Sequence, residues 1–118
     1  MKKYLFVLRR AAHSGTYVQE TLDVILTTAA FDQRVSILLL DDGVFQLKEN
    51  QQLINSKSKD TCAIFNALAL YDVNDIYIEE ESLSERGINT KNLTLAVEIV
   101  KRTEVENLYQ NFDIIYSA

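Results

Sequence analysis

The stretch that most restricts the fold is residues 35–40, Val-Ser-Ile-Leu-Leu-Leu, an apolar run without regular alternation. A strand with one wet face alternates apolar and polar side chains, so this run fits a strand covered on both faces, as in a parallel sheet. Parallel neighbours need crossover connections, and these are usually helical. The rest of the chain supplies them. Residues 3–8 form a short β-type run, and Gly15-Thr16 then opens a helix expected over residues 17–31, with Thr16 and Gln19 at capping-box spacing. After a connection over residues 41–56, Ser58 or Asp60 caps a second helix that runs through Leu70. Residues 75–79 (DIYIE) give a third strand. Ser82 and Glu85 form another capping box, opening one helical turn that closes at Gly87, a natural left-handed residue after a helix end. Residues 93–100 give a fourth strand, Thr103 with Glu106 caps a last helix ending near Phe112, and residues 113–117 give a fifth strand. This alternation predicts one α/β domain over residues 1–118: a flavodoxin-like three-layer α/β/α sandwich around a mainly parallel five-stranded sheet.

Composition narrows the function classes. A chain of 118 residues fits one domain with a single core. The amino-terminal MKKYLFVLRR has two lysines before an apolar run, but residues 4–8 are too few for a signal-peptide core, and Arg9-Arg10 close them. No stretch approaches the roughly 20 apolar residues that span a bilayer, so a soluble, cytoplasmic protein is expected. The formal charge is −5 and the basic residues are scattered. Nucleic-acid binding draws on clustered Lys and Arg that neutralise phosphates, so direct contact with nucleic acid is disfavoured. Cys62 is the only cysteine and His13 the only histidine. An intrachain disulfide is therefore impossible, and a cysteine-based zinc site or a histidine-based nucleophile has little to build on.

The helices carry more apolar surface than one small domain needs. On the first helix, Val18, Leu22, Ile25, Leu26 and Ala29 form the stripe expected to face the sheet, while Tyr17, Val24 and Phe31 project from the opposite side. The second helix is apolar nearly all round, Phe65 and Leu68 included. Scattered exposed apolar side chains are ordinary, but two helices with apolar outer faces point to burial against another subunit. Tyr17, Val24, Phe31, Phe45, Phe65 and Leu68 are the expected partner-interface residues.

Four clusters are candidates for chemistry. Arg9, Arg10, His13 and the Gly15-Thr16 helix start lie where this fold binds ligands, beyond the carboxyl end of the first strand, and form an anion- or nucleotide-binding alternative. A single glycine is a weak signal for it, and a turn followed by a helix cap is favoured. Asp41-Asp42 resembles the acidic pair that holds magnesium in phosphoacceptor receiver domains, but a receiver takes that pair from its first strand, which here ends in Arg9-Arg10. Asp42-Gly43 is better read as a turn signal. Cys62, near a helix start, has a position that can lower a thiol pKa, yet it reads more readily as a small buried hydrophobe. Glu79-Glu80-Glu81 is expected to form a solvated turn, with Glu80 and Glu81 near a helix N-terminus. None of these patterns requires a cofactor or a metal.

Several short segments occur in order along essentially the whole chain: His13-Ser14-Gly15-Thr16 after the first strand, Asp42-Gly43-Val44-Phe45-Gln46-Leu47 after the second, Leu70-Tyr71-Asp72-Val73, then Ser82-Leu83-Ser84-Glu85-Arg86-Gly87, and Phe112-Asp113-Ile114-Ile115. In that order and spacing the chain resembles the TusC-like (DsrF-like) subunits of the DsrE/DsrF family. The resemblance implies a cytoplasmic sulfur-relay complex, a dimer of heterotrimers formed with TusB-like and TusD-like subunits. Such a complex hands persulfide sulfur to a TusE-like acceptor, toward 2-thiolation of the wobble uridine in certain tRNAs. It also implies that this subunit holds no catalytic residue. In TusD and DsrE subunits the persulfide cysteine lies just after the third strand, a position that falls near Ile78 or Glu79 here, and Cys62 belongs to a different element. Neighbouring carboxylates also raise a thiol pKa, which makes the 79–81 run a poor place for a sulfur carrier. The loop over residues 41–47 then serves packing or subunit contact, with Phe45 either presented outward or folded over the strand ends.

Overall fold

Side chains alternate across the sheet as the pleat requires. Phe6 and Leu8 of β1 (Lys3–Leu8), Val35, Ile37 and Leu39 of β2 (Arg34–Leu39), and Ile76 and Ile78 of β3 (Asp75–Glu79) share one face. Leu5, Val7, Leu38 and Leu40 share the other. Both faces are covered, which is why residues 35–40 are buried throughout, Ser36 included. A computed structural model of the chain describes residues 2–9, 17–31, 34–47, 70, 73, 75–89 and 97–117.

The first face is covered by α1 (Tyr17–Ala30), which contributes Ile25 and Ala29 to a core completed by Val44, Leu83 and Ile88. The second face is covered by α3 (Val105–Tyr109), whose Val105 is buried and whose Leu108 and Tyr109 pack beside it. The remaining described elements are the 3₁₀ segment Asp41–Leu47, α2 (Glu80–Glu85), β4 (Glu98–Val100), a 3₁₀ turn Arg102–Glu104 and β5 (Ile114–Ser117).

The strand order is β4-β3-β2-β1-β5, with every pair parallel. The chain walks outward from β1 to β4 and then returns past three strands to place β5 on the far side of β1. A connection that keeps one hand while reversing direction must cross the opposite face, and α3 does so. The architecture is the expected flavodoxin-like parallel α/β sandwich. Among the described residues no helix is long and apolar enough to cross a membrane.

Three local expectations are corrected. The helix after β3 begins at Glu80 with no intervening turn, so Ser82 lies inside α2 and does not cap it. The last helix is not capped by Thr103 and Glu106. Instead the Glu104 carboxylate accepts from the Lys101 N–H at 3.2 Å, while the Glu104 N–H donates to the Lys101 carbonyl at 2.8 Å, and the helix ends at Tyr109. The fourth strand is described only over Glu98–Val100; Val97 lies outside it, and residues 93–96 lie outside the described set.

Gly87 does close α2 as expected, at φ 65°. Its N–H donates to the Ser84 carbonyl at 3.2 Å and the Ile88 N–H to the Leu83 carbonyl at 3.0 Å. This is the paired bonding of a Schellman end, with Ile88 and Leu83 meeting in the core.

Candidate functional site

The carboxyl ends of the first four strands open into a cleft of about 710 Å³, lined by Arg9, Leu40, Asp41, Glu79, Glu85, Arg102, Val105, Glu106 and Tyr109. It lies at the sheet end where parallel α/β folds bind ligands. Its base is Glu79, the last residue of β3, whose side chain is only 5% exposed. A buried carboxylate is costly unless it is hydrogen-bonded or paired, and Glu79 is both. Its Oε1 accepts from the Ser82 hydroxyl at 2.6 Å, from Arg102 Nε at 3.1 Å and from Arg102 Nη2 at 2.9 Å. Ser82, fully buried, accepts in turn from the Asp41 N–H at 2.9 Å. One hydroxyl thus ties the end of β3 to the start of the segment after β2.

Arg102 spans two carboxylates. Besides Glu79 it donates to Glu85 through Nη1 at 3.3 Å and Nη2 at 3.0 Å, and its backbone N–H reaches Glu81 at 2.9 Å. The hydrogen bond from Arg102 is the main reason the Glu85 carboxyl is held below the usual carboxylate range. Arg102 and Arg86 charges add to it, against a partial opposing effect of burial. The same two carboxylates raise the Arg102 pKa, so the guanidinium stays charged.

The solvated turn expected at residues 79–81 is therefore corrected at Glu79, which is the most buried carboxylate of the site. Glu80 is exposed and Glu81 half-buried, both in the first turn of α2 as expected. Sequence reasoning missed Arg102 altogether. The signal was an arginine two residues past the fourth strand, at the same sheet end as Glu79.

The Asp41-Asp42 pair splits. Asp41 pairs with Arg9 at 3.2 Å, whereas Asp42 accepts from Arg86 Nε at 2.9 Å. The expected turn is present in altered form. Asp41, not glycine, takes the left-handed conformation at φ 51°. Gly43 is required for a different reason, since a Cβ there would stand 2.0 Å from the Leu8 carbonyl oxygen.

Of the anion-site alternative, Arg9 lies in the cleft wall and is paired with Asp41. Arg10, His13, Gly15 and Thr16 lie outside the described residues, as do Cys62, Phe65 and Leu68. Of the expected interface residues, Val24 is 46% and Phe31 73% exposed. Tyr17 opens α1 and Phe45 lies in the 3₁₀ segment, and the side chains of both lie outside the described set.

Fold and cleft together define a small parallel α/β domain whose strand-end site is built on a buried glutamate paired with a half-exposed arginine. The chain belongs to the DsrE/DsrF-like family, whose model matches residues 2–116. A Protein TusC homolog of Pseudomonas aeruginosa is 38% identical over 92% of both chains. The intracellular sulfur oxidation protein DsrF of Allochromatium vinosum is 37% identical, covering 100% of this chain and 86% of its own. The crystal structure of the ychN protein from E. coli superposes with a TM-score of 0.79 at 18% identity over 100% of both chains, a likeness of fold.

Proposed function

We propose that this chain is a non-catalytic subunit of a cytoplasmic, TusBCD-like sulfur-relay complex. In that complex it assembles with TusB-like and TusD-like subunits as a dimer of heterotrimers. The complex passes persulfide sulfur, through a TusE-like acceptor, toward 2-thiolation of tRNA wobble uridine. What carries the reading is end-to-end similarity to proteins named TusC and DsrF in a chain whose third strand ends in a carboxylate. Persulfide exchange needs an accessible thiolate at the point of attack. Glu79 offers a buried carboxylate already bonded to Ser82 and Arg102. The exposed Val24 on α1 and Phe31 just after it support a role in association, with Tyr17, Phe45, Phe65 and Leu68 as further candidate contacts.

The test is co-expression of the tagged chain with its TusB-like and TusD-like neighbours, followed by native mass spectrometry. A particle containing all three is expected, and Cys62→Ser in that particle should leave persulfide transfer intact. A chain that stays monomeric beside both neighbours refutes the subunit reading. Loss of transfer in an assembled Cys62→Ser complex refutes the non-catalytic assignment.

A further inference from the structure

We draw no further inference here: the strongest candidate, the sheet edge at β5 where Ile115 and Tyr116 are 42% and 48% exposed, is an apolar surface patch, and nothing in the structure shows what covers it.

Discussion

Ser82→Ala is the most informative single change in this molecule. The hydroxyl donates to the Glu79 carboxylate at 2.6 Å and accepts from the Asp41 N–H at 2.9 Å, with the serine fully buried. A hydrogen bond to a charged group contributes about 1.5–3 kcal/mol, and a donor left unpaired costs about 1–3 kcal/mol. The Asp41 contact is only part-buried, so the lower figure applies to that donor. Glu79 keeps both bonds from Arg102, which limits the loss on its side. The expected destabilisation is about 3 kcal/mol, against a total of about 5–15 kcal/mol for a domain of this kind. That corresponds to a fall in melting temperature on the order of 10 °C. Urea unfolding followed by circular dichroism reads it directly, with an unchanged m-value marking an effect on stability alone. Ser84→Ala, exposed on the same helix, serves as the control and should stay within about 0.5 kcal/mol. Combining Ser82→Ala with Glu79→Gln should give a coupling energy of about 1 kcal/mol or more, because the two groups share one bond. A Ser82→Ala cost at the level of the Ser84→Ala control would show that the hydroxyl does not bind these segments together, and the reasoning would fail.

Gly43→Ala places a Cβ 2.0 Å from the Leu8 carbonyl oxygen and 2.8 Å from its carbon, both backbone atoms. Overpacking costs about 1–3 kcal/mol, and rigid backbone puts this case at the upper end. Gly87→Ala meets no atom within 4 Å and bears only the strain of φ 65°, about 1–2 kcal/mol; chemical denaturation should rank the two in that order, and the reverse order would refute the close-approach argument. Glu85 is held below its ordinary value of 4.5, chiefly by the Arg102 hydrogen bond. Its folded form therefore gives up a proton before the unfolded form does, so its stabilisation is present above about pH 4.5 and disappears as pH falls through the lower folded value. Glu85→Gln should be less stable than the parent at neutral pH, and the gap should close on acidification; a gap constant with pH would count against the pair.

Much of the fold was legible because its signals are local. The run over residues 3–8 is bounded by lysines and arginines, and DIYIE stops where the glutamates begin, so β1 and β3 coincide with their expected limits. Gly87 was legible because a left-handed residue after a helix needs a glycine or a close substitute. The caps were less so. A Ser or Thr followed three residues later by Glu marks a helix start only if the serine is free to turn back on its own N-terminus. Here Ser82 is engaged by Glu79 and Asp41, and the helix starts straight off the strand. At the last helix two acidic residues compete, and Glu104 reaches back to Lys101 while Glu106 faces the cleft.

The site was only half legible, and Glu79 shows why. Read along the chain, three consecutive glutamates are a solvated turn, since an isolated carboxylate does not survive burial. The alternation of β3 says otherwise, because Ile76 and Ile78 face one side of the sheet and Tyr77 and Glu79 the other. A strand-end position on a covered face cannot remain solvated, so a buried Glu79 requires a cation from a neighbouring strand end. β4 is that neighbour, pairing Glu79 with Val100, and the first cation beyond Val100 with a long planar donor group is Arg102. Lys101 precedes it, but an ammonium has three donors, whereas Arg102 makes four side-chain bonds to Glu79 and Glu85. The partner of a buried charge is thus set by sheet order. Once β3 and β4 are known to be adjacent and parallel, the pairing of Glu79 with Arg102, 23 residues apart, follows from the register.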